Sequence, residues 1–207
     1  MEILRKSILS AMIITILTGM SYSQDYEAIQ NAFNESYNYE YTGQYSKAIE
    51  SLKSVYSENS YEINLRLGWL NYMGGFFTES LAYYQKAIDL QPLSIEAKLG
   101  YVYPASALGN WEQVKTQYNE ILKIDPKNTT ANYRLGSIYY GNEDYTSALK
   151  YFEKVVNLYP FDYSSLLMYA WTNLRLGKTR EAKVLFNKVL MNKPGDESAM
   201  DGLNAID

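Results

Sequence analysis

An all-α fold made of repeated helix pairs is the architecture this sequence predicts, and three observations carry it. Prolines at 92, 126, 160 and 194 recur every 34 residues. Set out in units of that length (61–94, 95–128, 129–162 and 163–196), the chain keeps other residue types in register without a gap. Valine and threonine do not cluster, and no alternating apolar and polar run closed by hairpin turns is present, which removes a sheet. A fixed period of this size means that each unit is one supersecondary piece whose apolar face its neighbours cover.

Inside a unit, residue size follows the packing. Position 8 is small in Gly68, Gly136 and Ala170, and position 20 holds Ser80, Val114, Ala148 and Ala182, so the two helices of a unit can approach closely. Position 24 is bulky in Tyr84, Tyr118, Phe152 and Phe186 and fills the gap between neighbouring units. Ala148, Phe152, Val155 and Val156 lie at i, i+4, i+7 and i+8, one apolar stripe along a second helix. Position 15, with Gly75, Gly109, Glu143 and Gly177, separates the helices. Glycine suits a break there because it tolerates positive φ. Proline at position 32 stops the second helix, since it lacks an amide donor and disfavours helix in the residue before it.

In chain order, the amino terminus comes first. Arg5 and Lys6 precede an apolar run from Ile8 to Gly19, and Ser21-Tyr22-Ser23 places small residues where a signal peptidase reads. This predicts a signal peptide over 1–23 with cleavage before Gln24. The run of about 12 residues falls short of the roughly 20 needed to span a bilayer, so no membrane insertion is expected after cleavage. The repeat array then fills 25–207. Its opening unit, about 27–60, shows the second-helix pattern in Gly43, Tyr45, Ala48, Leu52 and Val55, but is two residues short and closes at Ser60 without proline. Pro104 falls inside the first helix of unit 95–128 and predicts a kink beside Tyr103. A tail over 197–207, with Ala199, Met200 and Leu203, repeats the opening of a first helix and reads as a cap, through which the protein could form a homo-oligomer.

Leu135-Gly136, Tyr139, Ala148, Phe152 and Pro160 together resemble the tetratricopeptide repeat, with Asn132 where that family has tryptophan. The resemblance covers the chain from about Asp25 onward. It implies a right-handed solenoid of antiparallel helix pairs, about five units plus a short C-terminal cap helix, with a concave groove lined by first helices. It also implies that function resides in this surface, and it points to the bacterial cell envelope, periplasmic or secreted, as the place of action. Groove positions of the family fall here on Arg66, Trp69, Tyr72, Tyr103, Arg134, Tyr140 and Trp171. The rings are expected to line a site for a peptide or partner protein, and Arg66 and Arg134 to fix polar groups at its floor. The lysines and asparagines with which some relatives clamp a free carboxylate are replaced here: position 2 holds Glu62, Glu96, Thr130 and Ser164.

Composition excludes most chemistry. With no cysteine and no histidine, the chain has no thiolate or imidazole nucleophile, no triad, no zinc site of the usual ligands and no disulfide. Gly74-Gly75 lacks the lysine of a phosphate-binding loop, and the carboxylates, such as Glu143-Asp144 and Asp196-Glu197, fall where capping and solvation need them. A net charge of −4 argues against nucleic acid and anionic membrane surfaces. The reading is a non-catalytic interaction scaffold with no cofactor and no metal. Its 22 tyrosines leave two alternatives open, a polysaccharide- or peptidoglycan-associated binder using exposed rings and a self-assembling structural repeat.

Overall fold

The computed structural model describes residues 26–206; the signal peptide expected over 1–23 lies outside them. Every regular element among the described residues is a helix, as the sequence predicts. Helix α1 covers 26–41 and α2 is Tyr45–Lys53. Then follow α3 (Tyr61–Met73), α4 (Phe77–Leu90), α5 (Ile95–Ala107), α6 (Trp111–Ile124), α7 (Thr129–Gly141), α8 (Tyr145–Leu158), α9 (Tyr163–Arg175), α10 (Thr179–Asn192) and α11 (Glu197–Asn204). The chain divides into two compact units between Gly109 and Asn110, so the first holds α1 to α5 and the second α6 to α11.

The first unit packs around Ala48, Leu52, Ile63, Leu67 and Leu70, all at most 1% exposed. Tyr84 shows how the repeat closes. Its ring is buried between Gly68 of its own helix pair and Gly100 of the next first helix, and a Cβ built on either glycine would stand 2.8 Å or 2.1 Å from that ring. Burial pushes the Tyr84 phenol well above its ordinary pKa. The hydroxyl of Ser80 donates to the Gly68 carbonyl at 2.7 Å, fastening α4 to α3. In the second unit, Phe152 lies in the same way against Gly136, and Phe186 fills the space under Gly202 of α11. Burying each such ring stabilises the stack by about 2–3 kcal/mol.

The two kinds of turn are built differently. Turns inside a helix pair rely on one left-handed residue: φ is +72° at Gly43, +81° at Gly75, +73° at Gly109 and Gly177, and +62° at Glu143. Glu143 adopts there a conformation that costs a residue with a side chain about 1 kcal/mol or more. Turns between pairs rely on side chains. Ser60, Ser94, Asn128, Asp162 and Asp196 each cap the following first helix by accepting from the amide three residues on. From position 4, Asn64 donates to the carbonyls of Glu58 and Ser60, Asn132 to those of Pro126 and Asn128, and Lys98 to that of Pro92 at 2.6 Å. Asn132 thus makes a polar tie to the preceding loop. The Tyr61 and Ser94 hydroxyls meet at 2.7 Å, and Tyr163 donates to Asp196 at 2.6 Å, adding a bond between consecutive pairs. Helix α5 continues through Pro104, which is buried.

Candidate functional site

Three of the expected site residues come together in the first unit. Trp69 and Tyr72 lie three apart on α3 and so share a face. Tyr103 of α5 meets both, with ring centroids 6.4 Å from Trp69 and 5.4 Å from Tyr72. Trp69 and Tyr72 are 5.9 Å apart, and Phe77 of α4 extends the cluster 5.9 Å from Tyr72. Tyr103 is 51% exposed and Met73 beside Tyr72 is exposed too, while Trp69 and Tyr72 are half-buried. The patch thus offers apolar ring faces at the surface.

Glu40 of α1 forms the foot of this patch. It accepts from the Trp69 indole Nε1 at 2.5 Å and pairs with Arg66 at 2.6 Å. Arg66 also donates to the Ser36 hydroxyl at 3.3 Å and stacks over the Tyr37 ring at 3.9 Å. Its guanidinium is consumed by the preceding helix and is only 9% exposed, so Arg66 holds α1 to α3 and does not stand free for a partner. A cation this deep requires such a partner, because an unpaired buried charge is strongly destabilising. Sequence reading missed Glu40 and Phe77. The signal for Glu40 was present: counted back from Gly43 as position 15, it stands at position 12, where Tyr72 stands one repeat later. Position 12 of one repeat faces positions 6 and 9 of the next.

The second unit places its expected residues apart. Trp171 packs edge-on against Phe186 at 5.2 Å and donates from Nε1 to the Ser198 hydroxyl at 3.0 Å, so it binds α9 to α10 and α11. Tyr140 contacts Tyr145 at 5.2 Å, and its hydroxyl beside Arg175 holds that guanidinium above its ordinary pKa. Arg134 is exposed at the mouth of a cavity between α7 and α9.

Helix pairs that repeat at constant spacing, with polar caps between pairs and a ring cluster open on the first-helix face, define a repeat protein that recognises through its surface. Residues 33–95, 129–162 and 164–190 match models described as tetratricopeptide repeat, and the chain belongs to that family. It is 26% identical over 168 residues to the TPR repeat-containing protein YpiA of Bacillus subtilis (strain 168), covering 79% of this chain and 40% of that protein. The chain therefore spans less than half the length of this curated relative. Among solved structures, a tetratricopeptide repeat protein from Parabacteroides merdae ATCC 43184 superposes with a TM-score of 0.75 at 22% identity, covering 87% of this chain and 72% of that one. MamA from Desulfovibrio magneticus RS-1 gives 0.69 at 19% identity, covering 82% and 97%. YrrB, described as a TPR protein with an unusual peptide-binding site, gives 0.65 at 21%, covering 78% and 81%. At these identities the structures establish the fold.

Proposed function

We propose that this protein is a non-catalytic scaffold that captures a partner polypeptide on the Trp69, Tyr72 and Tyr103 face of its first unit. The observation that carries the reading is the ring cluster itself: three aromatic side chains from two first helices within 6.4 Å of one another, one of them half exposed. Trp and Tyr combine large contact area with few rotatable bonds, so they dominate binding where they cluster. Glu40 holds the Trp69 indole in place, which lowers the ordering cost of binding. The fold shared with YrrB, whose description names a peptide site, supports the same use.

The partner is met outside the cytoplasm in this reading. Support comes from Arg5 and Lys6 ahead of Ile8–Gly19 and from Ser21-Tyr22-Ser23. Mass spectrometry of the protein from its native host should find a chain beginning at Gln24. A chain retaining residues 1–23 in the cytosolic fraction would overturn the placement.

The site is tested with a photoreactive residue at Met73 in the native host, identification of what is crosslinked, and affinity measurement with the purified partner. Tyr72→Ala with Tyr103→Ala should weaken binding about tenfold or more while leaving helicity intact. Unchanged affinity would sink the proposal. Binding of a glycan and no protein would favour the polysaccharide reading.

A further inference from the structure

The face assigned to partner capture has a second end, and its chemistry is different. Glu62 of α3 and Glu96 of α5 each stand seven residues before a ring of the cluster, Trp69 and Tyr103 respectively. Residues seven apart share a side of a helix, so the two carboxylates lie on the ring face, about 10 Å from the rings toward the helix starts. One hydroxyl links the two starts. Tyr61 of α3 meets Ser94 at 2.7 Å and reaches Glu96 at 3.4 Å, and Glu62 is its neighbour in the chain. Burial pushes the Tyr61 phenol up, and the charge of Glu96 and, to a smaller extent, that of Glu62 push it further.

Both carboxylates are exposed and accept from hydroxyls, Glu62 from Ser60 at 3.1 Å and Glu96 from Tyr61. A hydroxyl donor leaves the negative charge in place. Arg66, which lies on α3 between Glu62 and Trp69, is drawn back onto Glu40 and pairs with that carboxylate instead. The surroundings add to the field: between 26 and 109 nine carboxylates stand against five cations, whereas between 110 and 206 there are eleven against twelve. A carboxylate in the first turn also answers the helix dipole. That need alone does not explain the two acids, because α7 starts from the neutral cap Asn128 with Thr130 at the same position.

We propose, resting on the docking face assigned above, that the polypeptide captured there carries a lysine or arginine about three residues from an apolar side chain. The cation lies between Glu62 and Glu96, and the apolar side chain lies on Trp69, Tyr72 and Tyr103. A segment in polyproline II form returns to the same side every three residues, after about 9 Å, which matches the separation of acids and rings. Charge selects the segment that docks, and the rings hold it.

Panning of a random decapeptide display library on the protein at low ionic strength tests it. Synthetic copies of the selected peptides, acetylated and amidated so that no terminal charge takes part, are then compared on the wild type and on variants. Peptides that use this face are those that lose affinity in Tyr72→Ala with Tyr103→Ala. Among them lysine or arginine should be enriched three residues from an apolar residue, and replacing that cation by glutamate should weaken binding about tenfold or more. Glu62→Gln with Glu96→Gln should weaken the cationic peptides about fivefold or more and bind their lysine and glutamine versions equally. Glu50→Gln with Glu79→Gln removes the same charge from second helices and should change affinity less than about twofold, which separates the two positions from net charge alone. Peptides that need Tyr72 and Tyr103 but show no preference for a cation, or equal losses in the two glutamine pairs, would overturn this proposal and leave the docking face standing. Selection of no peptide that depends on Tyr72 and Tyr103 would overturn both.

Discussion

Trp69 and Trp171 occupy the same place in their repeats, position 9 of a first helix, yet the two rings serve different ends. Trp69 borders Tyr72 and Tyr103 in an open cluster. Trp171 is turned against Phe186 and tied to Ser198. The helix that follows makes the difference. After α3 and α4 comes α5, whose own position 9 is Tyr103, so the aromatic face continues. After α9 and α10 comes the short α11, which offers the Ser198 hydroxyl and covers Phe186 with Gly202. Register fixes where a ring starts, and the next helix decides whether it stays within reach of a partner.

Truncation separates the two rings most sharply. Trp171→Ala should destabilise the protein by about 3 kcal/mol, because it opens a gap beside Phe186 and strands the Ser198 hydroxyl. Trp69→Ala should cost less than half of that and should instead impair partner capture. Chemical denaturation of both variants checks this. Equal losses would erase the distinction between a packing ring and a docking ring.

A second comparison concerns glycines that accept an aromatic ring. Gly100 and Gly202 lie at the same repeat position, and an added Cβ would stand 2.1 Å from Tyr84 in one case and 2.2 Å from Phe186 in the other. Gly100→Ala and Gly202→Ala should each cost about 2 kcal/mol or more by overpacking, read as a lower midpoint of thermal unfolding. If only one of them is sensitive, the two units do not close their repeats in the same way.

The residues that were readable in advance are those whose role repeats. Positions 15, 20, 24 and 32 recur in four units and the small residue at position 8 in three, and the structure gives them the packing or turn that their residue types suggested. The site was legible only in part. Trp69, Tyr72 and Tyr103 come together because positions 9 and 12 of successive first helices face each other. Arg66 was read as fixing a partner's polar groups at the groove floor because family position was the guide, whereas its surroundings depend on Glu40, Ser36 and Tyr37 in a repeat whose register is offset by two residues.

Glu143 offers a smaller test of the turn chemistry. It is the one position-15 residue with a side chain, held at φ +62° where its counterparts are glycine. Glu143→Gly should stabilise the protein by up to about 1 kcal/mol, measured by denaturant midpoint. A loss would show that the glutamate compensates for the strain through its charge.

The bonds that join consecutive helix pairs differ in one further respect, and pH exposes it. Tyr61 meets the Ser94 hydroxyl, which does not titrate, at 2.7 Å and reaches the Glu96 carboxylate only at 3.4 Å, whereas Tyr163 meets the Asp196 carboxylate at 2.6 Å. The Tyr163 hydroxyl, then the Lys193 ammonium and the Ala199 amide, hold the Asp196 carboxyl down to about 2. A folded pKa below the unfolded one means that the ionised carboxylate contributes stability in full above about pH 4, and that this is lost as pH falls toward about 2. Asp196→Asn keeps a competent cap but cannot titrate. Unfolding midpoints at pH 6 and at pH 2.5 should therefore fall further apart in the wild type than in Asp196→Asn, by a small margin because Lys193 is exposed. Ser94→Ala should shift the midpoint equally at both pH values. Parallel pH profiles for the wild type and Asp196→Asn would mean that the charge on Asp196 adds nothing to the hydroxyl bond that Tyr61 and Ser94 already form without one.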